Sequence, residues 1–364
     1  MSRLAHQYWD IFCKIVDNFG DIGVCWRLSQ QLANEHRLSV RLFIDDFYIA
    51  SKIIPQFDRQ IAEQTINNVK ICAWPTEAVK LPDVVVENFS CGLPQMYVDQ
   101  LIEQRQQAPQ KKPTLWVNLE YLSAEPWVES CHALPSVLPE SGLKKTFFYP
   151  GFTEKTGGLL REQSLIEKRD VFLASTELQN NFWQAYLPHN QRKHFAESIK
   201  ISLFSYPQAN IKQLIRSLMT TELPVHIFLP FNTEITALNS IIDKYHLKIG
   251  EPKAVHRIRL HLLPFLTQAQ YDQLLWACDL NFVRGEDSWI RALWAGKPFI
   301  WQPYIQAENT HLKKLDAFLN IYTHTAEAHV QAHIFNAHHV WSNAQAIPNT
   351  HFWLDVLKVL STWQ

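Results

Sequence analysis

The sequence predicts an α/β protein made of two doubly wound domains that face a cleft. Three observations support this prediction. Short runs of β-branched and aromatic residues recur along the chain, and a helical pattern follows each of them. Runs that are apolar on both faces are typical of parallel strands covered by helices on each side of a sheet. The pattern restarts in the second half, and 364 residues are too many for one compact core.

The predicted strands form two groups. Those of the first half are Ile11–Val16, Val40–Ile44, Val69–Trp74, Val84–Glu87, Leu115–Leu119 and Thr146–Tyr149. Those of the second half are Val171–Ala174, Ile201–Tyr206, Val225–Leu229, Leu260–Leu263, Leu280–Val283 and Phe299–Trp301. We therefore divide the chain into a first domain at 1–172, a second at 173–348 and a terminal helix at 349–364. That helix, about His351–Ser361, has an apolar stripe that must be covered, and the first domain is one surface that would cover it.

Composition narrows the class of protein. Apolar residues make up 47% of the chain and charged residues 19%, which excludes wholesale disorder. The net charge of −1 gives no reason to expect nucleic acid or a membrane as partner. The six cysteines form no CxxC pair and the sixteen histidines no HExxH motif, so we expect free thiols and no metal site. With no apolar segment of membrane-spanning length and no apolar core near the start, we expect a cytoplasmic protein.

The first candidate site is the run DNFGDIG at 17–23, directly after the first strand. Ligands of open α/β sheets bind beyond the carboxyl ends of the strands, where Asp17 and Asp21 fall. The run is not GxGxxG, so a nicotinamide fingerprint is absent. Asp21 either lines a pocket or caps a helix predicted from about Val24 to His36. Asp17 either lines the same pocket or is solvated.

The second candidate site is RGEDS at 284–288, between a predicted strand and a predicted helix that ends before Gly296. The N-terminus of such a helix suits a diphosphate, and the guanidinium of Arg284 matches phosphate oxygens. Glu286 could accept hydrogen bonds from sugar hydroxyls. The alternative is that Asp287 or Ser288 caps the helix and the rest is solvated.

Two further segments are candidates. In PFLTQAQY (264–271), Phe265 and Tyr271 could flank a planar base and Gln268 offers a paired donor and acceptor, with Thr267 as helix N-cap. The alternative is core packing of these aromatic rings, and Tyr206 has the same two interpretations. The loop Tyr149–Arg161 is either a flexible rim or a plain connection between domains. If the loop forms a rim over the cleft, the residues of that rim would be Thr153, Thr156, Gly157 and Gly158.

Three motifs carry a resemblance to a known family. They are DIFCKIVDNFGDIGVCWRL, FFYPGFTEKTGGLLRE and NFVRGEDSWIRALWAGKPFIWQPY. Together they resemble the protein-arginine rhamnosyltransferases that modify bacterial elongation factor P. The resemblance implies the GT-B glycosyltransferase fold, with two Rossmann-like domains. It also implies transfer of rhamnose from dTDP-β-L-rhamnose to one arginine of elongation factor P, with no other cofactor.

The resemblance also implies roles for individual residues. Asp17 and Asp21 match paired aspartates at the reaction centre. The matching donor-binding residues are Asn18, Phe19, Gly20, Phe204, Tyr206, Phe265, Gln268, Tyr271, Arg284, Glu286, Asp287 and Ser288. The implied reaction inverts the sugar carbon without a metal, with Asp21 as the first candidate for the base and Asp17 holding the acceptor guanidinium. The alternatives are a GT-B enzyme with another donor or a cell-envelope acceptor, and a non-enzymatic module that binds the translation factor.

Overall fold

The computed structural model describes residues 7–363 apart from 17–18, 108–109, 111, 140, 189–194, 232–235 and 344, and apart from the side chains of 236–240. Asp17 and Asn18 therefore lie outside the described residues. The chain forms two compact units, Met1–Gln163 and Ser164–Gln364. The predicted boundary at 172 falls instead inside a helix, Leu165–Ala174, which opens the second unit.

In the described part of unit 1, eight strands form one sheet. They are β1 Tyr8–Cys13, β2 Ser39–Ile44, β3 Glu63–Ile66, β4 Val69–Ala73, β5 Val84–Asn88, β6 Leu115–Leu119, β7 Pro135–Val137 and β8 Lys144–Phe148. The sheet order is β3-β4-β2-β1-β5-β6-β8-β7, and only the edge strands β3 and β7 run antiparallel to their neighbours. The order of the parallel strands reverses between β1 and β5, which is the switch point where doubly wound sheets bind ligands.

The helices of unit 1 are α1 Phe19–Asn34, α2 Phe47–Ile53, α3 Gln95–Gln107 and α4 Trp127–Cys131. Helix α1 packs on β1, β2 and β4. A second apolar cluster contains Phe12, Phe43, Tyr97 and Trp116. Removing apolar surface from water in this way stabilises the unit by about 25 cal/mol per Å². The stable sheet therefore holds the ends of the loops at its edge in place.

Unit 2 has a six-stranded sheet among its described residues. Its strands are β9 Ile199–Leu203, β10 Val225–Pro230, β11 Lys253–Val255, β12 Ile258–Leu263, β13 Leu280–Arg284 and β14 Phe299–Gln302. The order is β11-β12-β10-β9-β13-β14, with only the edge strand β11 antiparallel. Here the order of the parallel strands reverses between β9 and β13.

The helices of unit 2 flank that sheet. They are α5 Leu165–Ala174, α6 Thr176–Tyr186, α7 Ile211–Leu218, α8 Thr236–Tyr245, α9 Gln268–Ala277, α10 Asp287–Ala295, α11 Thr310–Tyr322, α12 Ala328–Ser342 and α13 Phe352–Trp363, with a short 3₁₀ turn at Ala307–Asn309. Helix α13 packs on α7 and α12, which belong to its own unit. No helix in the described part of the chain has both the length and the apolarity needed to cross a membrane.

Several predicted elements are wrong in position or type. The predicted strand Val171–Ala174 is the end of α5, because a short apolar run does not by itself distinguish a strand from a buried helix. Here Phe172 is buried and Val171 is exposed. The first strand ends at Cys13 and not at Val16. Strands β3, β7 and β11 were not predicted, because short antiparallel edge strands lack the continuous apolar run of a buried strand.

Candidate active site

Asp21 lies in the first turn of α1, just beyond the carboxyl end of β1. Helix α1 begins at Phe19, so the predicted start near Val24 is wrong and Asp21 is not the N-cap of the helix. Its side chain reaches back instead, and Oδ2 accepts a hydrogen bond from the Val16 amide at 2.7 Å. Asp45 holds the same loop by accepting from the Ile15 amide at 3.0 Å. Asp21 is only 2% exposed, so this carboxylate is held in one position at the switch point of the sheet.

Buried thiols lie beside Asp21. Burial, the largest cause, raises the pKa of Cys25 well above its ordinary value, followed by a hydrogen bond with Cys13 and by the negative charge of Asp21. Burial also raises the pKa of Cys91 to about 12. Thiols with raised pKa values are poor nucleophiles. Cys25 and Cys91 are therefore poor candidates for a nucleophile.

The loop Tyr149–Arg161 belongs to unit 1 and is fastened to α1. Gln31 Nε2 donates to the Arg161 carbonyl at 2.5 Å, and Arg27 pairs with Glu162 at 3.1 Å. Within the loop, the Gly157 amide donates to the Tyr149 carbonyl at 2.8 Å. A Cβ at Gly157 would lie 2.3 Å from the Phe148 ring, so any other residue there would require that ring to move. Both the candidate rim residues and their anchors therefore sit within this one unit.

Arg284 is the central residue of the site in unit 2. It ends β13 and is 7% exposed, at the switch point of this sheet. Its guanidinium lies 4.4 Å from the Phe204 ring centroid and 4.6 Å from that of Tyr206, in the segment that follows β9. The two cation–π contacts restrict the position of the guanidinium. This geometry suits an anion with several oxygens.

The turn after Arg284 leads into α10. The Arg284 amide donates to Ser288 Oγ at 3.0 Å, and the Ser288 hydroxyl donates back to the Arg284 carbonyl. Helix α10 begins at Asp287, so Glu286 is the N-cap residue and makes no side-chain cap bond. The alternative that Asp287 or Ser288 is the N-cap is therefore wrong, because Ser288 is used to close the turn. The helix ends as predicted, with Gly296 in the left-handed conformation.

Glu286 has a partner that the sequence did not indicate. Lys314 Nζ, on α11, pairs with its carboxylate at 2.8 Å, and both side chains are mostly buried. A lysine 28 residues away along the chain gives no local signal. The pair brings a second cation to the start of α10 and holds Glu286 in place.

Helix α9 carries the predicted base-binding residues. Thr267 is its N-cap as predicted, in a capping box with Gln270, and Gln268 is its first residue. The Tyr271 ring lies 5.9 Å from that of Phe204, so it joins the aromatic group around Arg284. Burial raises the pKa of Tyr271, and the nearby Ser288 hydroxyl lowers it by a smaller amount. Phe265 is half-buried in the segment before the helix.

A buried ion pair fixes α9 against α10. Arg291 donates from Nε and Nη2 to the two carboxylate oxygens of Asp272, each at 2.8 Å. Bidentate pairs of this kind restrict both distance and angle. The ion pair therefore holds the segment with Gln268 and the segment with Arg284 in a fixed position relative to each other.

Together, the structure brings Phe204, Tyr206, Tyr271, Arg284 and Ser288 into contact. Phe19 and Gly20 open α1 in unit 1. The sequence did not predict Lys314, Gln302, which accepts a hydrogen bond from the Tyr206 amide, or Tyr304, whose ring packs on that of Tyr206. Within the described ranges, no three His, Cys, Asp or Glu side chains lie close enough to hold a metal ion together.

Two doubly wound units define the class of this protein. Unit 1 carries the buried carboxylate of Asp21 at the switch point of its sheet. Unit 2 carries Arg284 at the switch point of its sheet, just before a helix N-terminus. This is the fold of the GT-B glycosyltransferases, as predicted from the sequence.

Comparisons with known proteins identify the family within that class. The family described as "Elongation-Factor P (EF-P) rhamnosyltransferase EarP" matches residues 9–364. A protein-arginine rhamnosyltransferase of Pseudomonas putida is 44% identical over 322 residues, covering 86% of this chain and 81% of that protein. One of Neisseria meningitidis is 35% identical over 317 residues, covering 85% of this chain and 77% of that protein.

A solved structure agrees with these relatives. It is described as the structural basis for EarP-mediated arginine glycosylation of translation elongation factor EF-P. It is 28% identical to this chain, with a TM-score of 0.60, and the match covers 98% of this chain and 92% of that chain. This chain belongs to the EarP family and is a protein-arginine rhamnosyltransferase, which confirms the family that the sequence motifs resemble.

Proposed function

We propose that this chain transfers L-rhamnose from dTDP-β-L-rhamnose to an arginine side chain of elongation factor P, with inversion at the sugar carbon. The family description and the related solved structure both name elongation factor P, which supports this acceptor. The observation that supports a nucleotide-diphosphate donor is Arg284, held on two aromatic rings just before the start of a helix. A nucleotide diphosphate has the charge and the oxygens for such a site.

The donor would bind in unit 2. Arg284 and the amides of Glu286–Ser288 would take the diphosphate and stabilise the charge that develops on it as the sugar leaves. Gln268 would pair with the edge of the thymine, and Phe265 and Tyr271 would pack against its faces. The rings of Phe204 and Tyr206 already have Arg284 over them. These two rings would therefore help to bind the diphosphate by holding Arg284 in position, in addition to any contact with the thymine.

Asp21 would supply the base. A guanidinium has a pKa above about 12, so an arginine nitrogen is a weak nucleophile until a carboxylate takes its proton. In the proposed step the arginine nitrogen forms a bond to C1 of rhamnose and the C1–oxygen bond to the diphosphate breaks. The electron pair of that bond leaves on dTDP, and the arginine proton passes to Asp21. Asp17 remains our prediction for the second acid that holds the guanidinium.

The test is incubation of the purified chain with elongation factor P and dTDP-β-L-rhamnose, followed by intact-mass measurement. We expect the acceptor to gain the mass of one deoxyhexosyl residue. A matched acceptor whose target arginine is replaced by lysine should stay unmodified. Gain of mass only with another nucleotide sugar would identify a different donor. Binding without any modification would instead favour a translation-factor binding module.

The proposed chemistry predicts a result for metal removal. Arg284 and the helix amides would supply positive charge at the proposed diphosphate position without a metal ion. Turnover measured in EDTA should therefore match turnover in Mg²⁺. A strict requirement for added Mg²⁺ would contradict this part of the proposal.

A further inference from the structure

Gln302 is a fully buried amide at the carboxyl end of β14. Its Oε1 accepts a hydrogen bond from the Tyr206 amide at 2.8 Å. A backbone N–H can only donate, so this bond determines which end of the Gln302 side chain is the oxygen. The other end, Nε2, is therefore a hydrogen-bond donor whose identity is fixed by its neighbour.

Nε2 of Gln302 has no hydrogen-bond partner among the described residues, although it is buried. Leaving a buried N–H group without a partner is costly, and such groups in native proteins call for an explanation. In Gln302 only the oxygen of the side-chain amide has a hydrogen-bond partner. A bound ligand that accepts a hydrogen bond from Nε2 would explain why an amide is found at this buried position.

The position of Gln302 indicates which ligand. Its oxygen accepts from one side of the peptide group that joins Ser205 to Tyr206, and Arg284 Nη1 donates to the carbonyl of the same peptide group at 3.5 Å. The Gly285 amide donates to the Gln302 carbonyl at 3.3 Å. Gln302 thus contacts Gly285 directly and is linked to Arg284 through the peptide group that both side chains contact.

Charges of both signs lie at this point, together with several N–H donors. Arg284 is a cation, the start of α10 carries the positive end of the helix dipole, the carboxylate of Glu286 is balanced by Lys314, and Asp287 adds one carboxylate in the first turn of the helix. A further N–H donor in such a place suits an anion and would repel a cation.

We propose that Gln302 Nε2 donates a hydrogen bond to a phosphoryl oxygen of the bound dTDP-sugar, so that Gln302 is a donor-binding residue. The inference rests on the proposed donor and deepens it. The two ends of one side chain then do two tasks. Oε1 holds the peptide group on which Arg284 rests, and Nε2 contacts the diphosphate.

The variant Gln302→Glu separates these tasks. It keeps an oxygen for the Tyr206 amide and replaces only the donor by a second oxygen. We expect the dissociation constant of dTDP, measured by calorimetry at about pH 8, to rise at least about tenfold, the usual share of one hydrogen bond to a charged group. Gln213→Glu is the matched control. Gln213 lies on α7, and its Oε1 also accepts a hydrogen bond from a backbone amide, that of Ile347, at 2.9 Å. The dTDP affinity of this variant should stay within about twofold of the parent.

A pH series distinguishes a contact from a merely structural role. A carboxyl that is buried beside phosphate oxygens takes up a proton more readily, and its protonated form can donate. The ratio of the Gln302→Glu and parent dissociation constants should therefore fall towards one from about pH 8 to about pH 6. Gln302→Met, which has no donor at any pH, should bind weakly throughout.

The outcomes separate this inference from the proposed function. If the parent chain fails to bind dTDP, the proposed donor is wrong and the inference falls with it. If the parent binds dTDP and Gln302→Glu binds equally well, Gln302 does not touch the donor, while the proposed function stands. Weak binding by Gln302→Glu that does not recover at low pH would assign Gln302 a structural role only.

Discussion

Asp21→Asn should lower the turnover number by about 10²- to 10⁴-fold, the usual contribution of a general base. The affinity for dTDP should remain within about twofold, because the residues proposed to bind the diphosphate and the thymine lie in unit 2. The amide oxygen of asparagine can still accept from the Val16 amide, so the loop after β1 keeps its hydrogen bond. Single-turnover kinetics with intact-mass detection measures the loss.

Asp45→Asn is the matched control for Asp21. Asp45 accepts from the Ile15 amide of the same loop, but it is exposed. If the loss in Asp21→Asn came from a looser loop, Asp45→Asn should lose turnover to a similar extent. Near-parental turnover in Asp21→Asn itself would exclude this residue as the base.

Arg284→Ala should raise the dissociation constant of dTDP by about 100-fold, since hydrogen bonds between charged groups each contribute about 1.5–3 kcal/mol. The change removes the guanidinium and also uncovers one face of Phe204 and of Tyr206. Arg284→Lys keeps the charge but not the planar fork of donors, so we expect an intermediate affinity. Calorimetry with dTDP measures all three proteins.

Arg216→Ala is the control for Arg284, because Arg216 is an exposed arginine of α7 in the same unit. It changes the net charge by the same amount without touching the segment at 284–288. Equal dTDP affinity in Arg284→Ala and Arg216→Ala would show that the diphosphate does not bind at Arg284.

Most buried parallel strands could be predicted from the sequence. Leu115–Leu119 was predicted with both of its ends, and the other parallel strands to within a few residues, because their apolar runs are local signals. The RGEDS turn was placed between a strand and a helix for the same reason, and Thr267 was identified as an N-cap from residue type alone. The family followed from three long motifs.

The start of α1 shows where local signals fail. The glycines at 20 and 23 disfavour a helix, so the predicted start near Val24 is too late and a capping role for Asp21 stays open at the level of the sequence. Burial of the helix against β1, β2 and β4 overrides that preference and extends the helix to Phe19. Asp21 then points back to the loop and becomes a buried carboxylate held by Val16.

The fold class, the family and the segments that carry the candidate site could all be predicted from the sequence, because each depends on residues that are close together along the chain. The contacts between those segments could not be predicted and are visible only in the folded protein. The pair of Glu286 and Lys314, the resting of Arg284 on Phe204 and Tyr206, and the orientation of the Gln302 amide all join residues on different elements. Contacts of this kind form only when β9, β13, β14 and α11 are brought together, so no local sequence pattern predicts them.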